Sequence, residues 1–189
     1  MKKKYNIKNR EESFRAAARK NEKFIINLFL LYFVFSILIY WTNLGNTEAG
    51  KILSGIVSDI IPSISPTANI SYDYGSVKLI LSIAWLYILP AYILIMKRIP
   101  WRIIDWNKIK SPYKLMIFSS VAFVGGGYGF ATSHPTEKSV HFAGIIFKSI
   151  KANALLSSIW GFVISLFLIL TAVCMTCGLL AILKSKRIN

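Results

Sequence analysis

The sequence predicts an all-α membrane protein with four transmembrane helices and both termini in the cytoplasm, and three observations carry that prediction. The chain of 189 residues is 54% hydrophobic, too apolar for an ordinary soluble domain of this size. Its apolar residues collect into four stretches, about 24–42, 77–96, 115–132 and 158–183, each long enough to cross a ~30 Å hydrocarbon layer as a helix. The basic residues sit at alternate ends of these stretches. Of the 23 Lys and Arg, nine precede the first stretch, six lie between the second and third and three follow the fourth, leaving five for the other two connections. Eighteen against five is a positive-inside asymmetry. One integral membrane domain is expected over residues 1–189, with the tail 1–23 and the loop 97–114 cytoplasmic and the loops 43–76 and 133–157 periplasmic.

The net charge of +15 follows from the same topology. Basic residues placed beside apolar stretches fix orientation and favour anionic lipid headgroups. A nucleic-acid footprint would instead gather them on one face of a soluble domain, so no nucleic-acid partner is expected.

Along the chain, residues 11–23 are helix formers with Glu11 and Glu12 ahead of Arg15 and Arg19 at favourable spacings. This tail is expected to be solvated or to lie on the membrane surface. The first span is free of charge and ends in Tyr40 and Trp41, residues suited to an interfacial aromatic belt. In the loop that follows, Ile52, Leu53, Ile56, Val57, Ile60 and Ile61 repeat with helical period. A short amphipathic helix, lying at the membrane interface, is therefore expected over Ala49–Ile61, ended by Pro62. Pro90 falls inside the second span and is expected to kink or loosen one turn. Trp101, Trp106 and Tyr113 interleave with basic residues in the cytoplasmic loop, which suits a segment at headgroup level.

The third span is the least lipid-like. Ser119, Ser120, Gly125, Gly126, Gly127 and Gly129 are small, and Gly125 with Gly129 has the spacing that lets another helix approach closely. This face is expected to be a packing seam, within the bundle first and for a partner helix second. In the second periplasmic loop, Phe142, Ile145, Ile146, Phe147 and Ile150 mark another amphipathic stretch, with Lys148 and Lys151 toward water or headgroups. Cys174 and Cys177 share one face near the end of the fourth span and read as small packing residues.

The chemistry of several function classes is missing. No span carries an ionisable residue well inside it, whereas pumps and ion-coupled transporters usually place one there. No inverted repeat is evident. Glu48, Asp59, Asp73 and Glu137 are scattered, and His134 and His141 fall short of the three protein ligands that zinc usually requires. The glycines of the third span lack the Lys-Ser/Thr that follows a phosphate-binding loop. The expectation is a non-enzyme without cofactor or metal, whose task is recognition of a membrane-inserted protein partner within the lipid. Oligomeric state is not legible.

The layout from basic N-terminus to basic C-terminus resembles the immunity proteins of pore-forming colicins of the A and B type. Ile61-Pro62-Ser63-Ile64-Ser65 looks like that family's Leu-Pro-Ser-Ile-Thr-Ser segment before the second span. Ala143-Gly144 and Asn153-Ala154-Leu155-Leu156 are similar to its second outside loop. The longer first loop and glycine-rich third span depart from the family pattern. The resemblance implies a bacterial inner membrane as the location and a partner, the toxin's pore-forming domain. A conjugative exclusion protein, which would meet a transfer-apparatus protein, and a structural subunit of a secretion or transport complex are the alternatives. The expected recognition residues lie in the two outside loops: Pro62, Ser63, Ser65, Tyr72, Tyr74, His141, Lys148 and Lys151.

Overall fold

A computed structural model describes residues 2–101, 104, 106, 109, 111–133, 136 and 142–185. Among them all regular structure is helical: α1 (Lys2–Trp41), α2 (Glu48–Ile60), α3 (Ile64–Ala68), α4 (Tyr74–Arg98), α5 (Pro112–Thr132), α6 (Phe142–Ala152) and α7 (Ser157–Ser185). Short 3₁₀ turns at Leu44–Asn46 and Ala154–Leu156 lead out of α1 and into α7. Four segments are long and apolar enough to cross a membrane: Arg19–Trp41, Tyr74–Arg98, Pro112–Thr132 and Ala154–Lys184. They contain the four apolar stretches of the sequence, save Thr42 at the end of the first.

α1 runs unbroken for 40 residues, roughly 60 Å at 1.5 Å per residue. Its basic half therefore continues the same helix as its apolar half. Asn21 donates its amide to the Arg98 carbonyl at 2.9 Å, and the Arg98 guanidinium lies 4.5 Å from the centre of the Phe24 ring. Nearby, Trp101 and Trp106 stack with centroids 6.0 Å apart, and the Lys184 ammonium sits 4.6 Å over Trp106. Aromatic and cationic groups thus meet at the basic end of the bundle, the pairing expected of an interfacial segment.

At the opposite end, Thr47 and Asp73 cap α2 and α4 by accepting from Gly50 N–H and Ser76 N–H, both at 3.2 Å. The Asn46 amide bonds both the Asn43 side chain and the Asp73 carboxylate. Asn43 holds φ at 53°, a left-handed conformation that asparagine tolerates. This polar clasp lets Gly45 meet Gly75 backbone to backbone; a Cβ on Gly45 would fall 2.3 Å from the Gly75 carbonyl. Both amphipathic stretches of the sequence are helices, α2 within one residue of its expected ends. α4 passes through Pro90 as one helix.

Interhelical bonds fix the directions. Asn21 with Arg98 and Leu28 with Tyr87 make α1 and α4 antiparallel. The Ser165 hydroxyl donates to the Ala84 carbonyl at 2.9 Å and Tyr92 shares a 2.7 Å bond with Thr176, so α4 and α7 run parallel. Gly178 faces Met116 and Gly126 faces Phe167, so α5 and α7 are antiparallel. The long helices form a row, α1–α4–α7–α5, in which α5 has one extensive neighbour, α7. Three apolar clusters fill the row. Leu28, Phe29, Ala91, Ile95 and Ile169 lie toward the basic end, Tyr32, Ile39, Leu79, Ile80 and Ala84 in the middle. The third, with Val57, Ile64, Ala68, Val77, Leu81, Ile146 and Ile150, packs α2, α3 and α6 around the first turns of α4.

The tightest seam within the chain differs from the expected one. A Cβ on Gly125 or on Gly129 would meet nothing within 4 Å, so among the described residues no helix packs closely on this pair. Close approach occurs instead along Ser157, Gly161 and Ser165 of α7, buried residues at four-residue spacing. A Cβ on Gly161 would fall 2.2 Å from the Tyr32 hydroxyl and 2.8 Å from Ala84 Cβ. One on Gly178 would fall 2.9 Å from the Met116 backbone nitrogen. On α5 itself, Gly126 faces α7, against the Phe167 ring.

Gly161→Ala and Gly178→Ala are expected to destabilise the protein by about 1–3 kcal/mol through overpacking. Gly125→Ala and Gly129→Ala should stay within about 0.5 kcal/mol of the parent, as substitutions without close neighbours do. Thermal unfolding of the four variants in one detergent checks the ordering.

Candidate recognition surface

Function has two surfaces to work with, and each is built by a different packing choice. The first is the platform of α2, α3 and α6 at the end opposite the basic segments. Ile64 and Ala68 of α3 join Ile146 and Ile150 of α6 in one cluster over α4, so the two loops of the sequence are assembled into one body. This brings the Pro62–Ser65 segment and the α6 lysines onto a common unit.

The expected recognition residues divide on it. Pro62 is exposed at the turn after α2, and Tyr72 is 94% exposed. Tyr74 is also exposed, with the Lys78 ammonium 5.6 Å over its ring. Lys148 and Lys151 are exposed on α6, Lys151 lying 5.7 Å over Phe147. Ser65 is half-buried in α3. Ser63 belongs elsewhere: it is buried, its N–H donates to the Ala131 carbonyl at 2.8 Å and its hydroxyl to the Phe130 carbonyl at 2.7 Å. These carbonyls end α5, where a helix has no partners of its own to offer. Ser63 is thus a cap that ties the platform to α5, with no group left for a partner. His141, with His134 and Glu137, lies outside the described residues.

The second surface is the outward side of α5. Ile117, Phe118, Val121, Val124 and Tyr128 are exposed along it, and Gly125 opens a shallow notch among them. α5 has the lowest mean hydropathy of the four spans and the least cover, with 6% of its apolar window buried against 28–39% in the others. A helix whose sole neighbour must be lipid is expected to be the most apolar of its set, so the two properties run against each other.

Chemistry beyond contact is sparse. Among the described residues no group of three His, Cys, Asp or Glu is placed to hold a metal ion. Cys174 is exposed and Cys177 half-buried on α7, both as free thiols. Two buried hydroxyls of the spans bond carbonyls one turn back, Ser36 to Tyr32 at 3.0 Å and Ser82 to Lys78 at 2.7 Å, whereas the buried hydroxyls of Tyr32, Ser76 and Ser157 have no partner among the described residues. Such bonds satisfy the hydroxyl within its own helix. No family model, curated protein or solved structure matches this chain.

Ser63→Ala should leave the Phe130 carbonyl without its side-chain donor and cost about 1 kcal/mol, concentrated at the end of α5. Hydrogen exchange would show faster exchange of the Thr132 and Ser133 amides with little change in α1. An unchanged rate at those amides would contradict the capping role.

Proposed function

We propose that this protein is a bacterial inner-membrane immunity protein that recognises a membrane-inserted pore-forming bacteriocin and blocks its opening. The observation that carries the reading is the mismatch on α5: the least apolar span is also the least covered. Between helices in lipid there is no hydrophobic driving force, and association rests on close van der Waals contact. The Gly125 notch and the exposed side chains around it favour a partner helix over disordered acyl chains.

The orientation in this reading follows the charges. The basic tail, the 97–114 loop and the chain end face the cytoplasm, and the platform of α2, α3 and α6 faces the periplasm. A toxin helix entering from that side would pass Tyr72, Pro62 and the α6 lysines, then lie along α5. Holding a closed arrangement of the toxin against an open one requires differential binding, since a ligand with equal affinity for both shifts nothing. Turning a population from 99:1 open to 1:99 takes about 5.5 kcal/mol of that difference. The neutral spans fit such a role, because no charge needs to cross or move in them.

Expression in a sensitive bacterium, followed by challenge with pore-forming bacteriocins, tests the proposal. Protection against at least one of them is the expected result. Full toxin sensitivity together with reduced acceptance of a conjugative plasmid would overturn it. Gly125→Leu with Gly129→Leu should lower protection at least tenfold while leaving protein abundance and thermal stability near the parent, because both positions are open within the chain.

A further inference from the structure

α2 shows three distinct sides. At about 100° per residue, Ile52, Leu53, Ile56 and Ile60 centre on one side, Gly50, Ser54, Val57 and Ser58 on a second, and Glu48, Lys51 and Asp59 on a third, roughly 120° apart. The second side is the buried one. The helix thus packs on the bundle through small and hydroxyl residues, and its isoleucines point away, Ile52, Ile56 and Ile60 being 58–72% exposed. An amphipathic helix of a soluble domain does the reverse, turning its apolar stripe to the core.

The position of α2 along the bundle explains the inversion. Val57 packs with Val77 and Leu81 of α4 and with Tyr40 at the end of α1. These are apolar turns of two membrane-crossing segments, and Trp41, 78% exposed, follows at the same end. α2 therefore lies beside the spans at the depth of their aromatic belt, and its isoleucines continue the apolar surface that α1 and α4 turn to lipid. The charged edge remains free to face water. Lipid is the occupant that this continuity supports.

We propose that α2 is an in-plane membrane helix, its Ile52–Ile56–Ile60 face seated in the acyl and headgroup boundary of the adjacent leaflet. The proposal stands apart from the immunity reading, since it concerns how the platform is anchored whatever the platform recognises. It leaves Glu48, Lys51 and Asp59, with Tyr72 and Pro62, as the surface open to the aqueous side. Gly50 lets the start of the helix sit close against the Leu44 carbonyl and Gly45, and with the buried Ser54, Val57 and Ser58 this holds the isoleucines at a fixed depth.

The test uses the full chain with Cys174→Ala and Cys177→Ala, reconstituted at low protein density in phosphatidylcholine and phosphatidylglycerol vesicles. An environment-sensitive fluorophore is attached through Ile56→Cys, and in separate samples through Glu48→Cys and Asp59→Cys. The expected result is a blue-shifted emission at 56, quenched by acyl-brominated lipid at least threefold more than at 48 or 59, with aqueous iodide showing the opposite order. Equal iodide quenching at 56 and 59 would overturn the proposal by placing the stripe in water. Shielding from both quenchers with a disulfide cross-link between copies at 56 would overturn it in favour of a protein occupant. Ile52→Cys reads the same face if the 56 variant accumulates poorly.

Discussion

Between helices in hydrocarbon, association depends on how closely two backbones approach, because lipid tails are as apolar as the side chains they would replace. In this protein that approach is set by α7. Gly161 admits the Tyr32 hydroxyl and Ala84 on one side, and Gly178 admits the Met116 backbone on another. Ser165 adds a buried bond to the Ala84 carbonyl, and Thr176 one to Tyr92. α4 and α5 are each placed by this one helix, and α1 is placed mainly by α4. The row that results leaves one long face of α5 without a neighbour, so the candidate binding surface is a consequence of the same packing that stabilises the fold.

The second constraint is that polar groups near hydrocarbon must be satisfied within the protein. The connection between α1 and α4 meets it through the Asn43–Asn46–Asp73 side-chain clasp, whose Asp73 carboxylate also accepts from the Ser76 N–H at the start of α4. Ser63 does the same for the end of α5 from a position far away in sequence. These bonds turn the two loops into a platform and couple it to α5, the least covered of the four spans. The platform and α5 are therefore mechanically joined.

The four spans were legible because hydropathy over about twenty residues is decided by the chain itself, and α2 because its apolar residues keep a helical period. What the period could not say was which residues hold the helix to the bundle: the buried side is Gly50, Ser54, Val57 and Ser58, and small or hydroxyl residues carry no apolar signal. The same limit applied to α5. Gly125, Gly126, Gly127 and Gly129 surround the helix, and a four-residue spacing does not reveal that Gly126, and neither of the spaced pair, meets Phe167. The Ser157–Gly161–Ser165 spacing was present in the sequence but carried by ordinary serines among large apolar residues. Ser63 read as a loop residue because its partners at Phe130 and Ala131 are distant in the chain. The unbroken α1 was legible in part: residues 11–23 are helix formers, but nothing in their polarity says that they share one helix with the span from Phe24.

The central claim is that α5 rests on α7 and presents its Gly125 side outward within the membrane. A spin label moved one residue at a time from 115 to 131, in dilute lipid vesicles, measures this through collision with oxygen dissolved in the bilayer. The account predicts oxygen accessibility that oscillates with helical period, high at 118, 121 and 125 and low at 119, 126 and 130. Low accessibility at 118, 121 and 125 in the isolated protein would contradict it, since α5 would then be enclosed by its own bundle and have no face to offer.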